Sequence, residues 1–401
     1  MILRAAWVVP VSSPPIRGGF VRIAGSRVVE VGEGRPPAGK DEAIDLGAAA
    51  LLPGLVNPHT HLELTGYAGQ APAGPFWPWI SQLIRLRAAP GQVQREQQGV
   101  RDGAWLSLRA GVTCVGDISR RNLAWRVLKG IPIRKVCFVE LLSLADDPPR
   151  NSGELRSELD AVEEDALLTA GVSPHAPYTV PAGEIRAAVE LAHTRHRPWT
   201  THWAETREEV AFLAGQPADL PPLLTALMAQ CGVMSPRLAP MECLSLCTAG
   251  LAPGLLAHVN YVAQEEIAVL ASTGHSVVYC PRAHRFFGHE PHPFMSLRRA
   301  GVPLAIGTDS LASNHSLSLL DELAVLDAAT GGALGSAELL RLVTIDAARA
   351  LGLGDRIGTI EPGKQADLAA FPCDARGDPV AALIAQAPAA SAVWVAGERV
   401  V

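Results

Sequence analysis

The stretch LVNPHTHLEL, residues 55–64, places His59, His61 and Glu63 at alternate positions after an apolar run. Alternate side chains of an extended strand share a face, so both imidazoles can aim at one point. Further along, His175 closes the run GVSPH, and His202 sits in THWAE with Glu205 three residues on. His258 ends GLLAH, and Asp309 lies in AIGTDS. A single buried histidine is ordinarily a satisfied core residue. His59, His61, His202 and Asp309, delivered by three separate apolar runs, instead form a donor set that suits one divalent metal, Zn²⁺ ahead of Fe²⁺, with a position left for water. Such a site makes hydroxide available near neutral pH. Asp309 can ligate and also accept the water's proton, while His258 can orient the hydroxide.

Strands must hold these groups, and the chain supplies eight apolar runs: residues 55–57, 112–117, 136–141, 171–174, 199–202, 255–259, 276–280 and 302–307. Helical segments such as EEVAFLAG and AQEEIAVLAST alternate with them, the pattern of an α/β chain folded as a (β/α)8 TIM-like barrel. The rival, a doubly wound open sheet, calls for a glycine fingerprint after the first strand, and none is there. In such barrels the site collects at the C-terminal strand ends, which is where the polar residues fall. Short β-type runs at both termini predict a small β-sandwich domain from residues 1–54 plus 357–401, around a catalytic barrel of 55–356. The proline-rich GQPADLPPLL reads as a loop.

LPGLVNPHTHLE, THWAET, GLLAHVNYV, IGTDSLASN and ARALGLGDRIGTIEPGKQADLAAF, in that order, resemble the amidohydrolase superfamily. The likeness covers nearly the whole chain and is strongest to the branch of adenosine-type, guanine and cytosine deaminases and triazine chlorohydrolases. It implies one metal on His59, His61, His202 and Asp309. Binuclear members carry a strand-four lysine, and this chain's four lysines (Lys40, Lys129, Lys135, Lys364) all lie elsewhere; Glu140 is the remaining candidate to bridge a second ion. In the resembling deaminases the counterpart of Glu205 protonates a ring nitrogen and passes a proton to the leaving amine. The alternative for Glu205 is a helix-starting carboxylate. Its presence favours deamination over dechlorination, because ammonia needs a proton and chloride does not.

SPHAPYTV resembles the strand-four segment of adenosine-derivative deaminases, which implies His175 as a nucleoside contact. The aromatic stretch after HTHLEL resembles enzymes acting on aminodeoxyfutalosine, a menaquinone precursor. It suggests Trp77 as a pocket wall, although Trp77, Ile80 and Ile84 also have helical spacing. Glu63 is read as a partner of a substrate hydroxyl or of an arginine. Where many relatives have CP-x-S-N, this chain has YCPRAHRFFGHEPH. His284 with His289 is a candidate second metal pair, His284 is otherwise read as a substrate contact, and Arg282, Arg285, Arg120 and Arg121 are candidates to bind a substrate carboxylate. The expected reaction is hydrolytic release of ammonia from an adenine nucleoside derivative. Adenosylhomocysteine or methylthioadenosine, guanine, cytosine and triazines are the alternatives, with an inactive barrel as the non-enzymatic one.

At 401 residues, with 48% apolar and 18% charged residues, the chain can bury a large core. Its net charge of -6 argues against nucleic acid as a partner. The first residues are too short an apolar run to span a membrane. Seven cysteines without CxxC pairs fit a reducing, cytoplasmic location; Cys243 and Cys247 read as packed on one helical face. A small purine-type substrate is the expected partner, with a homodimer possible in the family.

Overall fold

The computed structural model describes residues 1–34, 42–144 and 149–401, so Lys40 lies outside the described residues. Eight parallel strands carry the centre of the chain: β1 (Leu55–Thr60), β2 (Val112–Ser119), β3 (Arg134–Leu141), β4 (Leu168–Pro174), β5 (Thr200–Trp203), β6 (Leu255–His258), β7 (Ser276–Tyr279) and β8 (Leu304–Ile306). Every residue of β1, β2 and β3 is buried, because helices cover one face and the opposing strands the other. β1 to β4 pair in chain order in one sheet, and β5 to β8 do so in a second. Single parallel bridges link the two sheets at both seams, Thr60 to Asp309 and Val172 to Trp199.

All eight expected runs are strands, with different ends. β1 continues through Pro58 because the Asn57 amide clasps the partner strand end, donating to Thr308 Oγ1 at 2.7 Å and accepting from its N–H at 3.2 Å. β8 stops early. At Gly307 a Cβ would lie 3.0 Å from the His59 carbonyl oxygen, so only glycine lets the chain pass this close before it turns at Asp309, φ 56°. GQPADLPPLL is not all loop: the helix Pro222–Gln230 starts inside it, with proline at a first position where its missing N–H costs nothing. Cys243 and Cys247 are buried in the helix Pro240–Thr248.

The terminal strands form two further sheets. One joins Arg27–Glu33, Gly19–Ala24, Ile2–Arg4 and Ala43–Asp45; the other contains Ala49–Pro53, Leu368–Pro372 and Ala392–Val395. Leu3, Val21 and Val28 of the first share an apolar cluster with Leu51, Leu368 and Trp394 of the second. Ala49–Pro53 runs directly into β1 through Gly54, where a Cβ would lie 2.0 Å from Thr113 Oγ1. Arg134 at the start of β3 ties the parts together, donating Nε and Nη2 to the two oxygens of Asp367 at 2.7 and 3.1 Å, with both residues buried. Among the described residues, no helix is long and apolar enough to cross a membrane.

Candidate metal centre and active site

At the C-terminal strand ends the structure gathers His59 and His61 from β1, His202 from β5, His258 from β6 and Asp309 from beyond β8. The His59 ring centre lies 5.1 Å from those of His61 and His202 and 5.2 Å from that of His258. Asp309 Oδ1 lies 3.8 Å from Nε2 of both His59 and His61. Its other oxygen accepts from Ser313 Oγ at 2.7 Å. Among the described residues, the groups that bring three ligand atoms within 4.8 Å of one another are His59, His202 and His258, and His59, His61 and Asp309.

The tautomers decide what this cluster requires. His202 Nδ1–H donates to the His175 carbonyl at 3.0 Å, which leaves Nε2 as a bare lone pair. His61 donates to the main chain of Ile118, and its Nε2 faces His202 Nε2 at 3.2 Å. Two lone pairs aimed at each other repel unless a cation lies between their directions. Among the described residues, both nitrogens of buried His59 have no hydrogen-bond partner. Protonation does not resolve this, because burial first and the neighbouring histidines second push the pKa of His59, His61 and His258 well down. Burial, followed by the charge of His175, takes His202 to about 3. Neutral imidazoles beside a carboxylate fit a divalent metal of borderline softness. The strand ends are also strained: His258, Val259, Ala204 and Asp309 have φ of 72°, 51°, 50° and 56° without being glycine.

Glu205 lies beside this group, with Oε1 3.5 Å from His258 Nε2. Burial, then the charges of Asp309 and Glu209, raises its carboxyl well above the usual range. It is not the helix-starting carboxylate. That helix begins at Arg207, Thr206 caps it by accepting from Glu209 N–H at 3.1 Å, and Glu208 and Glu209 fill the first turn. Glu209 turns back to accept from Ala204 N–H at 2.7 Å and Glu205 N–H at 2.9 Å. The Thr-x-x-Glu spacing at 206–209 was the signal for it, since that pattern predicts a carboxylate folding back over a helix start. Asn260, absent from the expected site, donates to the Glu205 carbonyl at 3.0 Å.

The expected substrate contacts divide. His175 follows β4, with its ring centre 4.8 Å from His202 and its Nδ1 2.7 Å from Thr179 Oγ1. Trp77 is buried against Tyr178, ring centres 5.4 Å apart, and among the described residues its indole N–H has no hydrogen-bond partner. Its helix buries Trp77, Trp79 and Leu83, while Ile84 is 52% exposed, so the three-residue face expected from spacing is not the buried one. Glu63 accepts from Arg87 Nη2 at 2.6 Å and Ser119 Oγ at 3.3 Å, the arginine alternative. Arg282 pairs with Asp321 at 3.3 Å. His284 is held by Asn260 Oδ1 at 3.1 Å and the Glu290 carbonyl at 2.8 Å, so both ring nitrogens face acceptors, and its ring centre lies 5.2 Å from that of His289. Two acceptor oxygens favour a protonated His284 ring, and burial opposes it. Glu140 ends β3 outside both ligand groups.

A family model for the amidohydrolase family matches residues 50–400. The chain belongs to the amidohydrolase family. Its members use a divalent metal, as the imidazole cluster requires. A 5-methylthioadenosine/S-adenosylhomocysteine deaminase of Teredinibacter turnerae is 30% identical over 388 residues, covering 90% of this chain and 81% of that one. An adenosine deaminase from Xanthomonas campestris with bound zinc superposes with a TM-score of 0.81 at 28% identity, covering 99% and 92% of the two chains. Helicobacter pylori aminofutalosine deaminase in complex with methylthio-coformycin gives a TM-score of 0.87 at 22% identity over 100% of both chains, a likeness of fold.

Proposed function

We propose that this amidohydrolase is a metal-dependent aminohydrolase that releases ammonia from the adenine ring of a nucleoside, with His59, His61, His202 and Asp309 as ligands of one zinc. The opposed Nε2 lone pairs of His61 and His202 carry the metal assignment. Zinc is favoured over iron by the zinc in the Xanthomonas relative. The metal would supply a water acidic enough to be hydroxide near neutral pH. Asp309, whose Oδ2 is oriented by Ser313, takes up the water's proton. His258 Nε2 orients the nucleophile. Glu205 Oε1, in a carboxyl that burial raises well above the usual range, gives a proton to a ring nitrogen, regains one from the attacking hydroxyl and passes it to the leaving amine. His175 contacts the nucleoside. Trp77 with Tyr178 walls the side where the 5′ arm lies, and the apolar character of that cluster suits a thioether or aryl arm.

The eight strands are read as one closed barrel of residues 55–356, supported by the bridges at both seams. Residues 1–54 plus 357–401 are read as a β-sandwich, supported by the apolar cluster its two sheets share. The observation that favours deamination over dechlorination is a buried carboxyl poised to give a proton to a leaving group. The test is ammonia release by zinc-loaded protein from adenosine, 5′-deoxyadenosine, methylthioadenosine, adenosylhomocysteine, aminodeoxyfutalosine, guanine, cytosine and aminotriazines. Release from one or more adenine nucleosides is the expected result. Chloride release from a chlorotriazine with no ammonia from any nucleoside establishes the chlorohydrolase reading, and silence across the panel the inactive-barrel one.

A further inference from the structure

The loop after β7 is the part of this site that the proposed chemistry leaves without a role. Its His284 makes one contact that leads back to the reacting groups. Asn260 donates Nδ2–H to the Glu205 carbonyl at 3.0 Å, which fixes the amide so that Oδ1 faces His284 Nδ1 at 3.1 Å. Nδ1 must therefore be the donor. The Glu290 carbonyl, 2.8 Å from Nε2, is a second acceptor, so a ring that serves both donates from both nitrogens as imidazolium. On the other flank Glu209 accepts from Ala204 N–H and Glu205 N–H at 2.7 and 2.9 Å, and Ala204 O accepts from Tyr261 N–H at 3.1 Å.

The peptide groups on both sides of Glu205 are thus held at every polar atom. That grip is needed because Ala204 sits at φ 50°, a conformation that a non-glycine residue abandons unless its surroundings hold it. A displacement of about 1 Å of a reacting group costs on the order of a hundredfold in rate. Resting on the role assigned above to Glu205, we infer that His284 and Asn260 form a relay that, opposite Glu209, positions the Glu205 carboxyl against His258 and the substrate. His284 is a positioning residue. It is neither a ligand nor a substrate contact, and the donor it must supply is an N–H at Nδ1.

That requirement yields a test that a merely structural histidine would not pass. Asparagine places its amide N–H near the position of imidazole Nδ1, whereas glutamine reaches that of Nε2. With the nucleoside turned over fastest in the ammonia-release panel, His284→Asn should keep kcat within about threefold of the parent. His284→Gln and His284→Ala should lose roughly ten- to thirtyfold in kcat, with KM changed less than threefold and bound metal unchanged. Asn260→Ala should lose about a hundredfold, and adding His284→Ala to it should cost no more than a further twofold, because one relay is broken only once.

Glu205→Gln is run alongside. Near-normal turnover in Glu205→Gln removes Glu205 from the mechanism and the proposed reading with it. A dead Glu205→Gln beside a His284→Ala that keeps kcat within twofold overturns the relay alone. Equal losses in His284→Asn and His284→Ala overturn it too, as does a fall in bound metal or thermal midpoint that parallels the fall in kcat.

Discussion

His61 and Glu63 stand two residues apart and both are well shielded from solvent, yet their surroundings differ in kind. Around Glu63 the chain answers its own charges. Arg87 donates Nη2 to Glu63 at 2.6 Å and Nε to Glu96 at 2.8 Å, while Arg121 reaches Glu96 at 3.2 Å. Tyr67 adds its hydroxyl to Glu96 at 3.3 Å. Around His61 the chain answers one ring nitrogen through the main chain of Ile118 and, among the described residues, leaves Nε2 facing another lone pair. The two Nε2 lone pairs face each other at 3.2 Å, both His59 nitrogens have no hydrogen-bond partner among those residues, and the nearest carboxylate oxygen is 3.8 Å away. Buried polar groups are almost always paired, so a cluster left unpaired inside a well-packed protein marks a place for something the chain does not carry. Burial alone does not separate site from scaffold. Whether the partners are internal does.

The sharpest way to break this contrast is to remove a group from the unanswered cluster. His61→Ala and Asp309→Asn should each abolish ammonia release, by roughly a thousandfold or more, with bound zinc well below stoichiometric by elemental analysis. Full metal in both variants sinks the ligand assignment. Glu205→Gln should differ in kind: turnover falls by about 10²–10⁴ while zinc stays bound, which separates the proton carrier from the metal holders. In the answered region the damage should move from activity to stability. Arg87→Met strips buried Glu63 of its charge partner, leaves Glu96 with Arg121 and Tyr67, and should cost about 3–5 kcal/mol in urea unfolding. The folded fraction should keep its zinc. If Arg87→Met leaves stability intact, Glu63 and Glu96 do not depend on it, and Glu63 returns as a candidate for a substrate hydroxyl.

What the chain's pattern disclosed follows the same line. The eight strands were readable because apolar runs and intervening helical periodicity are local signals. The proposed ligands were readable because each ends or closely follows such a run. Partners contributed from far along the chain were not. Nothing near Glu63 announces Arg87, which meets it only because the helix Phe76–Arg87 packs across the end of β1. Asn260 has no motif that points at Glu205, 55 residues away. Glu209 was readable through its capping spacing, but that reading competed with treating Glu205 itself as the start of the helix. The strand-seven loop was unfamiliar because its meaning lies in two acceptors, Asn260 Oδ1 and the Glu290 carbonyl, that no spacing in YCPRAHRFFGHEPH reveals.

Glu140 lies between the two regimes and is where the smallest effect sharpens the comparison most. It ends β3, buried, with Arg87 and Arg120 near enough to favour its charge, yet burial outweighs them and raises its carboxyl from 4.5 to about 7. A native pKa above the unfolded one means that the folded protein holds the proton more tightly. Below pH 4.5 both states carry it and the group costs nothing. As pH rises toward 7 the unfolded chain releases its proton first, so stability declines, and above 7 the loss is complete at about 3 kcal/mol or less. Glu209, raised to about 7, and Glu322, raised to about 8, tilt the whole protein the same way, so the parent's slope alone decides nothing. The difference between parent and Glu140→Gln isolates the group. In zinc-saturated urea unfolding the variant's advantage over the parent should be small at pH 5 and grow by pH 8. A difference that does not change with pH would show that Arg87 and Arg120 keep Glu140 ionised against its burial.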